Sequence, residues 1–206
     1  MIDVAPMRRG DLGLTADVLA ASHVHDPAMA WIYQDPLRRE RALRALFRLA
    51  INDVARAGRI DVARDHGRVV GAAAWLPPGA FPVPWRRQLD SAPAFARLIG
   101  IAPASLPRLM RFLAACTNNF PAQPRWQLNV VGVAPESQGR GTGRALLTSM
   151  IAQVGDDMHL ETWNPANLAF YRCFGFQPEA TDHPLGPAGP QRWTLTCDTP
   201  APKETP

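Results

Sequence analysis

The sequence predicts an α/β (α+β) fold: one mixed central sheet, with an extra helical insert placed before the central strand. Three observations predict it. Strand-like and helix-like hydrophobic periodicities alternate along the chain. An apolar run, Trp126 to Ala134, leads into three alternating glycines and then an amphipathic helix. The stretch from about Trp85 to Asn119 is helical in pattern and too apolar for a linker.

The elements follow in order. Residues 2–8 read as a short strand, and Leu14 to Val24 as a helix. His25-Asp26-Pro27 breaks that helix, and a loop is expected as far as Asp35-Pro36. A long helix spans Leu37 to Ala57 and stops at Gly58. Its apolar face is Leu43, Leu46, Phe47, Ala50, Ile51 and Val54, while Arg41, Arg44 and Arg48 lie off that stripe. Arg59–Arg64 and Arg68–Leu76 form a hairpin turning at Asp65-His66-Gly67, and Pro77-Pro78-Gly79 ends it. The insert is expected in two or three helical pieces, broken by Pro93, Pro103 and Pro107. Trp126–Ala134 is the central strand, followed by a helix over Gly141–Val154. Met158–Trp163, Gln177–Thr181 and Arg192–Cys197 complete the strands. Residues 1–197 are expected to make one domain, and the Pro-rich, polar 198–206 a disordered tail.

Composition narrows the function classes. The chain has 206 residues, 47% hydrophobic and 19% charged, as in a folded globular protein. No apolar run approaches the ~18 residues of a membrane span. No signal-type segment opens the sequence, so a cytoplasmic protein without membrane partners is expected. The cysteines, Cys116, Cys173 and Cys197, make no paired framework. The net charge is +4, and Lys203 is the one lysine among 22 basic residues. That Arg, Ala and Pro bias suggests a bacterial genome rich in GC. The arginines are scattered, so no nucleic-acid partner is expected. His23, His25, His66, His159 and His183 show no metal-ligand spacing, and no metal is expected.

The glycines carry the chemistry. In Gln138-Gly139-Arg140-Gly141-Thr142-Gly143-Arg144 the backbone is free to turn sharply at the start of a helix. Unpaired N–H groups there form an anion cradle made mainly of main chain. A Walker loop would close with Gly-Lys-Ser/Thr, and a dinucleotide loop would read G-x-G-x-x-G directly after its strand. Neither fits. A second segment begins about twenty residues downstream, at Leu160-Glu161-Thr162-Trp163-Asn164-Pro165. Asn164 suits an N-cap and Pro165 a first helical position. Asn167 and Tyr171 share one helical face, and Gly175 suits the helix end.

Together, Val-x-Pro, Gln138–Gly143 and the Asn167/Tyr171/Gly175-Phe176 segment resemble the GNAT superfamily of N-acetyltransferases. The resemblance is closest to puromycin N-acetyltransferase and its relatives, and it includes Gly189-Pro190-Gln191-Arg192-Trp193. It is strongest over about residues 125–197. It implies the acetyltransferase fold, with helices on both faces of a mixed sheet and central strands that splay apart. Acetyl-CoA would lie in the split as acetyl donor. Its pyrophosphate would meet Gln138, Gly139, Arg140, Gly141, Thr142, Gly143 and Arg144, and its arm Val131 and Val133. Asn164 and Asn167 are further contacts, although Asn164 is explained equally by capping.

Transfer to an amine needs a polarised thioester, a neutral nucleophile and a protonated leaving thiolate. A phenol is able to protonate a departing thiolate. Tyr171 is therefore the candidate general acid, set against a core-packing reading. Glu161 is a candidate base acting through water, or else a partner in a salt bridge. His25, Asp26, Trp31, Trp75 and Phe81 are candidate acceptor contacts, with core packing an equal reading for Trp75. The family carries a His or acid before the central strand, where this chain has Asn118-Asn119-Phe120. The expected acceptor is a small amine and the expected state a monomer or homodimer. The alternatives are a protein or peptide acceptor, or a non-catalytic acyl-CoA-binding protein.

Overall fold

The computed structural model describes residues 2–80, 84–117, 124–154 and 157–198. Its strands are β1 (Ile2–Pro6), β2 (Arg59–Asp65), β3 (Arg68–Leu76), β4 (Trp126–Val133), β5 (Met158–Thr162), β6 (Gln177–Asp182) and β7 (Arg192–Cys197). Its helices are α1 (Leu12–His23), α2 (Pro27–Ile32), α3 (Pro36–Ala57), α4 (Trp85–Ile101), α5 (Leu106–Thr117), α6 (Thr142–Val154) and α7 (Leu168–Arg172). The strands form one mixed sheet in the order β1-β2-β3-β4-β5-β7-β6.

Local chemistry explains most of these boundaries. His66 and Gly67 both have positive φ, 47° and 81°, so the β2–β3 turn has the hand that suits twisted strands. Asp35 caps α3 through the N–H of Leu37 at 3.0 Å, with Pro36 behind it. Gly58 ends α3 by close approach: a Cβ there would lie 2.1 Å from the carbonyl oxygen of Trp75. The predicted apolar face of α3 is the buried one, with Leu43, Phe47, Ile51 and Val54 inside and Arg41, Arg44 and Arg48 exposed.

Two expectations need correction. The segment expected as a loop after His25 contains helix α2. Asp26 is its N-cap, accepting from the N–H groups of Ala28 and Met29 at 2.9 and 3.3 Å. Asp-Pro stops one helix and, for the same reason, starts the next. The insert forms two helices joined by a 3-10 turn at Pro103–Ser105, within the expected two or three pieces, but the break expected at Pro93 is absent. Pro93 lies inside α4, which continues past it. Packing against α3 and the Arg87–Asp53 ion pair, at 2.5 Å, hold α4 across the lost hydrogen bond.

The sheet is antiparallel except between β4 and β5. Parallel neighbours need a crossover, which α6 supplies. β4 pairs with β5 only at Trp126–Met158, Gln127–His159 and Leu128–Leu160. Both strands continue, but apart. β4 stays on β3 as far as Val133, and β5 stays on β7 through Thr162. The register slips between Ala74–Val130 and Trp75–Leu128, leaving Asn129 as an extra residue in β4. Such a bulge bends and twists its strand. The bend opens a split whose β4 edge is Asn129 to Val133.

Two apolar cores cover the two faces. Ala72, Ala74 and Leu76 of β3 face α1, α2, α3 and the insert. Ala73 and Trp75 face the other way, into a core with Leu146, Leu147 and Met150 of α6 and Tyr171 of α7. Strand alternation alone makes this division.

His159 of β5 is 1% exposed. Burial pushes its pKa down to about 4, and Arg125 and Arg192 push in the same direction. The unfolded imidazole titrates near 6.5, so acid favours the unfolded chain by up to about 3 kcal/mol through this group. Its contribution is complete above pH 6.5 and lost as pH falls toward 4. Urea midpoints of His159→Gln should therefore change less than those of the wild type between pH 6.5 and pH 4. Parallel pH dependence in the two proteins would contradict this.

Candidate functional site

The site is built around the split. At the far end of β4 the chain makes a short 3-10 turn, Pro135–Ser137, and enters the glycine segment. Gly139 and Gly141 have φ of 71° and 82°, which favour glycine. A Cβ at either position would meet nothing within 4 Å, so the loop presents bare backbone outward. Among the described residues, the N–H groups from Gly139 to Arg144 donate to no acceptor. The next one, of Ala145, bonds to the Gly141 carbonyl at 2.9 Å and starts the ladder of α6. Six unpaired donors are therefore gathered in one loop and one helix end, a kind of arrangement that suits a phosphate.

Side chains brace this loop. Gln138 Nε2 donates to the Val133 carbonyl at 3.0 Å, tying the glycines to the end of β4. Thr142 Oγ1 donates to the Ser137 carbonyl at 3.4 Å. Gly143 is small where a Cβ would come 3.3 Å from the Phe170 ring, so α6 and α7 sit close. Arg140 is exposed, 3.9 Å from Asp65, and Arg144 lies over the Phe174 ring at 5.6 Å. Val131 and Val133 are half-buried on the free stretch of β4.

The opposite wall follows β5. Asn164 accepts from the N–H of Ala166 at 3.1 Å and caps a 3-10 turn, Pro165–Asn167, that leads into α7. Asn167 Nδ2 donates to Thr162 Oγ1 at 3.4 Å. Tyr171 is 6% exposed, held edge-on by Phe170 and Phe176 at 5.4 and 6.1 Å between centroids. Burial, helped by the Asp26 carboxylate, pushes its phenol well above the ordinary range. The hydroxyl is therefore protonated at neutral pH.

The third wall is the end of α1 and the start of α2. Gly132 lets α1 approach β4: a Cβ there would come 2.2 Å from Ser22 Oγ and 3.2 Å from His23 Cε1. His23 Nδ1 lies 2.8 Å from the Leu19 carbonyl and 2.9 Å from Ser22 Oγ. Its ring packs on Phe47 at 4.9 Å. Burial lowers its pKa, and the Asp26 charge and the Leu19 bond oppose that shift. The Asp26 charge thus acts on both His23 and Tyr171. No local motif marks His23 in the sequence. A periodic signal is present: Ala16, Leu19, Ala20 and His23 lie on one helical stripe, and the first three are fully buried. A titratable group on such a stripe calls for a reason.

The other candidates fall differently. Glu161 is not free: its carboxylate meets Arg192 Nη1 at 3.3 Å and accepts from the Cys116 thiol. Arg192 is 4% exposed and also grips Asp182 at 2.9 and 2.6 Å and the Ala115 carbonyl at 2.7 Å. Of the two readings of Glu161, the ion pair is the one in the structure. Trp75 is fully buried in the α6-side core, because its strand position points away from α1. It is a core residue and forms no pocket wall. Trp31 is half-buried on α2, with the Arg108 guanidinium 5.9 Å from its ring centre. His25 is exposed, while Asp26 is at the site as described. Phe81, and the 118–123 part of the stretch before β4, lie outside the described residues. Among the described residues, no group of three His, Cys, Asp or Glu side chains suits a metal ion. No single described helix is long and apolar enough to cross a membrane.

Known proteins share this architecture. The profile of the Acetyltransferase (GNAT) family matches residues 24–176. A crystal structure from Corynebacterium glutamicum, described as histone acetyltransferase HPA2 and related acetyltransferase, is 27% identical with a TM-score of 0.73. The match covers 98% of each chain. A GNAT family acetyltransferase from Brucella melitensis, solved in complex with acetyl-CoA, is 16% identical with a TM-score of 0.52. That match covers 98% of this chain and 90% of the other. The mycothiol acetyltransferase of Propionibacterium freudenreichii is 34% identical over 76 residues, 34% of this chain and 24% of that protein. The matched stretch is thus about a quarter of that relative's length.

Proposed function

Since the chain belongs to the Acetyltransferase (GNAT) family, we propose that it transfers the acetyl group of acetyl-CoA to the amine of a small molecule by direct attack on the thioester. One observation carries the reading. The six free N–H groups of Gly139–Arg144 stand at the mouth of a split whose β4 edge, Asn129–Val133, has no strand partner on the β5 side. That combination fits a pyrophosphate joined to an extended, hydrogen-bonding arm.

In this reading the loop N–H groups hold the pyrophosphate, with Arg140 and Arg144 adding positive charge beside it. The backbone of Val131 and Val133 orients the arm. Asn167 braces the β5 wall through Thr162, and Asn164 sets the turn that presents α7. Bound acetyl-CoA supplies the thioester carbonyl and the leaving thiolate. Tyr171 holds its proton at neutral pH and gives it to the departing sulfur. The closing Gly189–Trp193 segment supports a place in the puromycin N-acetyltransferase-like group. The free thiols Cys116, Cys173 and Cys197 suit a reducing cytoplasm.

A small acceptor is favoured by enclosure. The helical insert reaches the acceptor side: Arg108 of α5 covers Trp31 of α2, and Arg192 fastens the end of α5 to the sheet. A peptide acceptor is the second reading, because the Corynebacterium relative's description names a histone acetyltransferase. Thiol release from acetyl-CoA, measured with free amines and with N-terminal and lysine peptides at equal concentration, decides between them. Higher kcat/KM with free amines is expected. A clear preference for peptides would overturn the small-acceptor assignment alone, and no release with any acceptor would overturn the acetyltransferase reading.

Two substitutions test the residues. Gly141→Asp puts a negative charge where phosphate approaches and should weaken acetyl-CoA binding at least tenfold, about 1.4 kcal/mol. Gly141→Asn, which tolerates positive φ, controls for backbone strain. Equal affinities for Asp and Asn variants in calorimetry would remove the loop from the site. Tyr171→Phe should keep acetyl-CoA affinity and lower kcat by roughly 10²–10⁴. Unchanged kcat would return Tyr171 to a packing role.

A further inference from the structure

We propose that Nε2 of His23 accepts the proton that the acceptor amine must lose before it attacks. The inference rests on the acetyl-transfer reading above and names the base that reading leaves open. Glu161 is engaged by Arg192 and Cys116, so the carboxylate singled out from the sequence is committed elsewhere.

Position comes first. His23 is the last residue of α1, and its ring lies against Gly132, within the stretch of β4 that has parted from β5. The approach is possible because residue 132 has no side chain. Polarity follows from the hydrogen bonds. The Leu19 carbonyl only accepts, so Nδ1, 2.8 Å away, carries the hydrogen. The Ser22 hydroxyl donates to the same carbonyl at 2.9 Å and receives Nδ1–H as a second acceptor. In the neutral ring, Nε2 is therefore the bare nitrogen. Among the described residues it has no hydrogen-bond partner. His23 as a residue is half-buried rather than sealed in the core.

Electrostatics match the role. The elements packed on His23 bring few charges: Phe47 from α3 and Gly132 from β4 are neutral, and Asp26 stands at the start of α2. Tyr171 of α7 feels the same carboxylate and is protonated. Burial keeps the imidazole neutral at pH 7, and Asp26 stabilises the imidazolium once formed. In the reaction, an ammonium proton passes to Nε2 and the amine attacks the thioester carbonyl. The C–N bond forms and the C–S bond breaks, with its electron pair leaving on sulfur. Sulfur takes the Tyr171 proton. The second amine proton and the His23 proton return to water, of which one restores Tyr171.

The test is the pH profile of kcat/KM for one amine with wild type and His23→Gln. Wild type should hold a plateau near pH 7–8.5, because the base deprotonates bound ammonium. The variant must wait for free amine. Its kcat/KM should be about a hundredfold lower at pH 7, rise tenfold per pH unit, and approach wild type near pH 9. Acetyl-CoA affinity should not change. Parallel profiles in two active proteins would overturn this inference and leave the acetyltransferase reading standing. Absence of turnover in the wild type would overturn both. A check that needs no variant is nitrogen NMR of the wild-type histidines at pH 8: a protonated Nδ1 at His23 is expected, and a protonated Nε2 would overturn the proposal.

Discussion

β4 and β5 pair over three residues and then part, and the candidate site of this chain is built on that parting. Its physical origin is one extra residue. Asn129 bulges out of the β3–β4 ladder, the strand bends, and the hydrogen-bonding edge from Asn129 to Val133 is left without a partner strand on the β5 side. An unpaired edge inside a sheet is costly unless something else satisfies it. Here it faces a split open to a ligand, and the glycine loop with its six unpaired N–H groups lies at the end of the same strand. Two sets of main-chain groups are thus held ready by the same bend.

The two sides of the split are held open by different forces. On the β4 side the contact is steric: Gly132 admits the end of α1, and Ser22 and His23 fill the space a side chain would take. On the β5 side it is electrostatic. Arg192 joins β7, β6, β5 and the end of α5 through Asp182, Glu161 and the Ala115 carbonyl, with Trp163 beneath its guanidinium. Leaving one charge of such a buried cluster unpaired costs several kcal/mol, so the cluster fixes geometry more surely than it adds stability. It also pairs the Glu161 carboxylate with a buried cation. His23 and Tyr171 carry the shifted groups near the split: burial keeps the ring neutral and the phenol protonated at neutral pH, and the Asp26 charge acts on both.

What the sequence determined by itself was local. The His66-Gly67 turn, the apolar face of α3, the Asp35-Pro36 and Asn164-Pro165 helix starts and the glycine loop are each written in residues a few positions apart. Short-range sterics, capping and periodicity act over that distance, and so they could be read. Asp26-Pro27 is both a stop and a start, and the stop rule alone predicts a loop where α2 stands. Pro93 predicts a break because its missing N–H is a local fact, while the packing of α4 on α3 that outweighs it is not. The tertiary structure decided the rest. Which face of β3 meets which helix layer sent Trp75 into the core, the register slip at Asn129 opened the split, and a strand thirty residues beyond Glu161 brought the Arg192 that claims its carboxylate. His23 became part of the site because α1 comes down on Gly132, more than a hundred residues away in sequence. Contacts of that separation carry no spacing signal in a single sequence, since they depend on how the chain closes on itself rather than on its neighbours along it.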